Sequence, residues 1–172
     1  MVDRATAINL SYALLSLWNP KPQRQVALVF LVELSYIIPV NKKVLIVEDD
    51  MALFNMYSVE LKIRGYDVLN VNDGLQALPK VKDYQPAVVL LDIMLPGMNG
   101  LNVLTELKSD PQTTEIPVIM LTNYGSEDNV KKALESGAAD YIMKYKILPS
   151  ELSDKIDTVL GTSVESDVKI AI

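Results

Sequence analysis

The 172-residue sequence contains no cysteine and no histidine. The first absence excludes disulfide scaffolds, thiolate metal sites and cysteine nucleophiles. The second excludes Ser-His-Asp triads, imidazole-ligated metals and a phosphohistidine carried by this chain itself. Basic residues are in deficit: 16 Lys and Arg stand against 22 Asp and Glu, a net charge of −6 that argues against a nucleic-acid-binding surface. Long apolar runs are missing too. Residues 8–18 and 26–40 are apolar patches split by Asn19-Pro20-Lys21-Pro22, and the second has Glu33 near its middle. Each falls short of the roughly 18–20 apolar residues a membrane span needs. Asp3 in the leading segment and the lack of a small-x-small cleavage pattern speak against a signal peptide. The expectation is a cytoplasmic protein with no membrane span and no direct nucleic-acid contact. Its chemistry must rest on carboxylates, lysine, hydroxyls and a hard cation.

Apolar residues at 49% and charged residues at 22% are enough to build one buried core. One domain of about 100–150 residues leaves roughly 50 residues over, and the texture changes near Asn41. Residues 1–40 carry a net charge of +1 and show no strand–helix rhythm. Two readings of this extension stand: an interfacial or self-packing segment, or a gene-model artefact, with Val40-Asn41-Lys42-Lys43 as the true opening. The second is the expectation adopted; peptides from residues 1–39 in the native organism would overturn it. The expected domain is 41–162, followed by a short acidic tail at 163–172.

From Asn41 onward, apolar runs alternate with amphipathic stretches, the pattern of βα units around a parallel sheet. Strands are predicted at 44–47, 67–71, 87–91, 117–121 and 140–143. Their near-continuous hydrophobicity fits a sheet covered on both faces. Five helices fit between and after them. The first is predicted from Asp50, a candidate N-cap, to about Arg64, with Gly65 at its end, and the second opens at Asp73-Gly74 with Pro79 kinking or ending it. The third covers 101–108. The fourth begins at Ser126 and stops at Ser136-Gly137, and the fifth is capped by Ser150 and runs to about Leu160.

In an open parallel sheet, ligands gather at the carboxyl ends of the strands. Glu48-Asp49-Asp50 follows the first strand, Asp92 the third, Thr122 ends the fourth and Lys144 follows the fifth. Taken singly, each residue is an ordinary loop charge, cap or strand-end hydroxyl. Their joint occurrence at four strand ends is what shifts the odds. Clustered carboxylates repel one another unless a cation sits among them. A donor set of oxygens alone favours Mg²⁺, which works with one or two carboxylates plus phosphate oxygens. A carboxylate can also attack phosphorus to form an acyl phosphate, so the constellation reads as a phosphoryl acceptor.

The motifs VLIVEDD, LLDIMLPGMNG, VIMLT and GAADYIMK resemble those of the receiver domain of two-component response regulators, from about Lys42 to about Leu160. The spacings fit as well: 43 residues from Asp49 to Asp92, 30 from Asp92 to Thr122, and 52 from Asp92 to Lys144. The resemblance implies a flavodoxin-like, doubly wound α/β fold whose five-stranded parallel sheet has the order 2-1-3-4-5. It implies Asp92 as phosphoacceptor, Asp49 as a direct Mg²⁺ ligand, Glu48 as a ligand through water, and the Met94 backbone carbonyl as a further ligand. It also implies Lys144 pairing with the phosphoryl group and Thr122 and Tyr141 as the switch, read out on the fourth helix, fifth strand and fifth helix. The alternative for Tyr141 is a plain core residue.

Two departures stand out. The family's lysine is usually followed by a cis proline, whereas Tyr145 and Lys146 follow Lys144 here. A non-proline cis bond costs about 2.5–4 kcal/mol, so a trans link is expected, with the lysine reaching the site by another path. Asn123, Tyr124 and Met94 also crowd the acceptor, which predicts slow hydrolysis of the acyl phosphate.

The resemblance implies a stand-alone response regulator that takes phosphate from a histidine kinase or histidine phosphotransferase and signals by altered protein contacts. A phosphorylation-dependent homodimer through the fourth and fifth helices is left open. Such a protein is not an enzyme beyond catalysing its own phosphorylation and dephosphorylation. The alternative is a phosphorylation-independent interaction module with the receiver fold, supported only by the altered lysine loop. A Mg²⁺-dependent phosphatase would need a second acid two residues beyond Asp92, where Met94 stands.

Overall fold

The computed structural model describes residues 42–123 and 127–161; the expectations for residues 1–40, Tyr124, Ser126 and 163–172 lie outside them. Five apolar runs form strands β1 (Lys43–Val47), β2 (Asp67–Val71), β3 (Val88–Leu91), β4 (Val118–Thr122) and β5 (Asp140–Met143). All adjacent strands pair in parallel, and the order is β2-β1-β3-β4-β5, as the resemblance implies. Thr122 is the last residue of β4, which starts one residue later and ends one residue later than the predicted 117–121.

Five α-helices connect or follow the strands: α1 (Met51–Ile63), α2 (Ala77–Tyr84), α3 (Gly100–Ser109), α4 (Glu127–Glu135) and α5 (Pro149–Val159). Alternate strand residues face opposite sides of the sheet. Val44, Ile46, Val88, Leu90, Ile119 and Leu121 cluster with Tyr57 and Leu61 of α1 and Leu152 and Ile156 of α5. Leu45, Val47, Val89, Leu91, Val118 and Met120 cluster with Val81 of α2, Val103, Leu104 and Leu107 of α3, and Ala133 of α4. Covering both faces explains why the strands read as unbroken apolar runs instead of alternating ones.

Local signals set most of the helix ends. Asp50 caps α1, accepting from the Ala52 N–H at 2.8 Å and the Leu53 N–H at 3.3 Å. After α1, Gly65 takes a φ of +84°, a left-handed turn that glycine adopts without steric cost. Two expectations are corrected. Pro79 neither kinks nor ends α2, because a 3₁₀ turn (Gly74–Gln76) delays the start of α2 to Ala77. Proline then falls in the first helical turn, where its missing N–H costs no intrahelical bond. Ser150 does not cap α5. Pro149 opens that helix, as its fixed φ favours, and Glu151 Oε2 accepts from the Leu148 N–H at 2.9 Å. Among the described residues no helix is long and apolar enough to cross a membrane.

Candidate functional site

Strand order reverses between β1 and β3, so their carboxyl ends open a crevice at the sheet's switch point. Backbone bonds fix its floor: the Glu48 N–H donates to the Val71 carbonyl at 2.9 Å, and the Asp92 N–H to the Val47 carbonyl at 3.1 Å. Glu48, Asp49 and Asp92 therefore converge, and one carboxylate oxygen from each lies within 4.8 Å of the others. Glu48 and Asp92 are buried and Asp49 is exposed.

Lys144 completes the cluster from the end of β5. Its ammonium lies 2.5 Å from Glu48 Oε2 and 2.9 Å from Asp92 Oδ2. The remaining oxygen of each carboxylate accepts from a nearby backbone N–H: Glu48 Oε1 from Asp50 at 3.3 Å and Asp92 Oδ1 from Ile93 at 2.7 Å. Burial pushes the Glu48 carboxyl above its ordinary value. The Lys144 bond and charge oppose that rise, and the Asp92 charge adds to it.

The other sequence-derived residues surround this core. Thr122 is fully buried at the end of β4, in register with Met143. Tyr141 sits on β5, half-buried and in register with Met120. Its phenol is pushed up, first by burial and then by the Asp92 charge, so it stands within the electrostatic reach of Asp92. Met94 and Asn123 are exposed. Among the described residues there is no cis peptide bond, and Lys144–Lys146 forms a 3₁₀ turn. The lysine tip reaches the acids by that route, as the trans expectation required.

Two positions matter that the sequence reading had not given a role. Gly100, the first residue of α3, packs so tightly that a Cβ there would lie 1.9 Å from the Asp92 carbonyl oxygen. Glycine lets the start of α3 close against the loop after β3, and the Gly100 N–H donates to the Ile93 carbonyl at 2.9 Å. Tyr57, on the buried face of α1, donates through its hydroxyl to the Lys144 carbonyl at 3.5 Å. An amphipathic pattern marks Tyr57 as core but is silent on where its hydroxyl ends.

Among the described residues, three carboxylates against one ammonium leave the crevice with an excess of negative charge and oxygen donors. That donor set fits a hard divalent cation such as Mg²⁺.

The family model described as "Response regulator receiver domain" matches residues 44–157. The chain belongs to the response regulator receiver domain family, and so to two-component signalling. The Pseudomonas aeruginosa phosphate regulon transcriptional regulatory protein PhoB is 41% identical over 128 residues, covering 74% of this chain and 56% of that protein. The chain thus spans about half the length of the curated relatives it matches. The BeF₃-activated N-terminal receiver domain of Klebsiella pneumoniae RstA superposes with a TM-score of 0.64 at 32% identity, over 69% of this chain and 98% of that one. The receiver domain of the P. aeruginosa sensor histidine kinase PA1611 gives 0.65 at 25% identity, over 71% and 99%. That structure holds a magnesium ion in its active-site cleft.

Proposed function

We propose that this receiver, taken as residues 41–162, accepts a phosphoryl group on Asp92 from a phosphohistidine of a sensor kinase or histidine phosphotransferase. The observation that carries this reading is the position of Asp92. Its Oδ2 is paired at 2.9 Å with the buried Lys144 ammonium, in one crevice with Glu48 and Asp49. An Asp92 carboxylate oxygen forms the O–P bond while the N–P bond of the donor breaks. The electron pair goes to the imidazole, which leaves with a proton. Lys144 then pairs with a phosphoryl oxygen as it pairs with the free carboxylate now, and the Thr122 hydroxyl supplies a further donor.

Asp49 would hold Mg²⁺ directly, with Asp92 and the Met94 backbone carbonyl. Glu48 would hold it through water, in keeping with the engagement of its Oε2 by Lys144. When bound, the cation neutralises phosphoryl charge. The signal leaves through protein contacts: the new group draws Thr122 toward it, Tyr141 changes its rotamer beside it, and the face made by α4, β5 and α5 changes its partners. Pairing of two phosphorylated copies through α4 and α5 belongs to the same reading. The transcriptional role in PhoB's name describes that protein; here the output partner is a protein. The altered lysine loop still delivers the ammonium to Asp92, so no observation favours the phosphorylation-independent alternative.

Incubation with acetyl phosphate and Mg²⁺, followed by intact-mass measurement, tests the reading. One phosphate should be added, and none after chelation of Mg²⁺ or in Asp92→Asn. A folded wild-type protein that never acquires the adduct would sink it.

A further inference from the structure

A lysine side chain has four rotatable bonds, so an ammonium held between two carboxylates needs a fixed main chain beneath it. On its amino-terminal side, Lys144 is fixed by β5, where Met143 pairs with Thr122 in the sheet. On its carboxyl side, the proline usual in the family is replaced by Tyr145, which is 67% exposed, and the chain returns to the core cluster only at Ile147. The Lys144 carbonyl is instead met by the Tyr57 hydroxyl from α1, at 3.5 Å and 87 positions away in the sequence. We propose that Tyr57 is a positioning residue for phosphoryl transfer, its hydroxyl holding the Lys144 main chain so that the ammonium stays between Glu48 and Asp92. This rests on the reading of Asp92 as phosphoacceptor.

Two features suit Tyr57 to that task. Its ring is 1% exposed and packs in the cluster of Ile46, Leu90, Ile142 and Leu152, so the hydroxyl sits on a rigid base. Burial and the nearby Glu48 charge both push its phenol up, so the hydroxyl keeps its proton and remains a donor. A phenylalanine would fill the same space, so the oxygen itself is not required for packing. The contact is at the long end of hydrogen-bond geometry, and the effect expected of its loss is moderate rather than complete.

A double-mutant cycle on the full chain tests the proposal, using phosphoramidate as donor at saturating Mg²⁺. Tyr57→Phe should slow adduct formation about fivefold, and should slow it no further in a Lys144→Met background. An unchanged rate in Tyr57→Phe overturns the proposal, as does an equal fall in both backgrounds, which would mark a general structural role. A wild type that forms no adduct defeats the phosphoacceptor reading itself, whereas a phosphorylated wild type with an indifferent Tyr57→Phe defeats only the present inference. If Tyr57→Phe fails to fold, proton NMR of the wild type decides. An exchange-protected Tyr57 hydroxyl with a cross-peak to the Tyr145 Hα proton supports the contact, and a freely exchanging hydroxyl overturns it.

Discussion

Replacing Lys144 with methionine removes the ammonium that Glu48 and Asp92 share and leaves both carboxylates buried, with the Asp50 and Ile93 N–H groups as their remaining partners among the described residues. Breaking a buried ion pair from one side costs about 3–5 kcal/mol, because the remaining charge keeps its desolvation penalty. Two carboxylates lose a partner here, while Glu48 can escape part of the penalty by taking up a proton. Its carboxyl already lies above the ordinary value, and the lysine contributions that restrain it disappear in the variant. The folded state then binds more protons than the unfolded one, so stability falls as pH rises through the folded-state pKa of Glu48. In chelator, urea unfolding followed by circular dichroism should show Lys144→Met weakened by about 3 kcal/mol at pH 8 and by clearly less at pH 5. Mg²⁺ should restore part of the loss, about 2.7 kcal/mol at one hundred times its dissociation constant. A variant as stable as wild type at pH 8 without Mg²⁺, or one whose deficit grows toward acid pH, would refute the description of this crevice as acids held together by one ammonium.

Gly100→Ala puts a methyl group against the Asp92 carbonyl, so it should lower stability by about 1–3 kcal/mol in urea melts and slow adduct formation by shifting the acceptor loop; a wild-type melt would show that the loop has room. Arg64 ties α1 to α5 through Asp154, Asp157 and the Ser150 carbonyl at a partly exposed site. Arg64→Ala should therefore cost no more than about 1 kcal/mol, with the loss shrinking in high salt. On the proposed reading of Asp92 as acceptor, Met94 and Asn123, both exposed, hinder the attacking water, so the phosphorylated protein should persist well beyond seconds by phosphate-release assay, and Met94→Ala or Asn123→Ala should shorten its lifetime. A wild-type lifetime of seconds or less would count against crowding as the cause.

The fold was legible because its physics is local and repetitive. Apolar runs covered on both faces leave little alternative to buried parallel strands, and Asp50 is read as a cap because its side chain satisfies N–H groups two and three residues on. Glu48, Asp49, Asp92, Thr122 and Lys144 were legible for a related reason: each follows or ends an apolar run, so the topology itself brings them to one edge. Pro79 and Ser150 were misread because helix entry depended on neighbours. A preceding 3₁₀ turn moved Pro79 into a first turn, and Pro149 took the opening position that Ser150 was expected to cap. The Tyr57 hydroxyl and the close approach at Gly100 join segments far apart in the chain or turn on a missing Cβ. Neither kind of contact leaves a periodic trace in sequence.

Trapping the acyl phosphate shows which carboxylate receives the phosphoryl group. Protein loaded with acetyl phosphate and Mg²⁺ is treated with borohydride, which reduces an aspartyl phosphate to homoserine, and its peptides are then sequenced by mass spectrometry. Homoserine is expected at position 92 and at no other aspartate. Homoserine at Asp49, or phosphate added to the chain with Asp92 left intact, would contradict it.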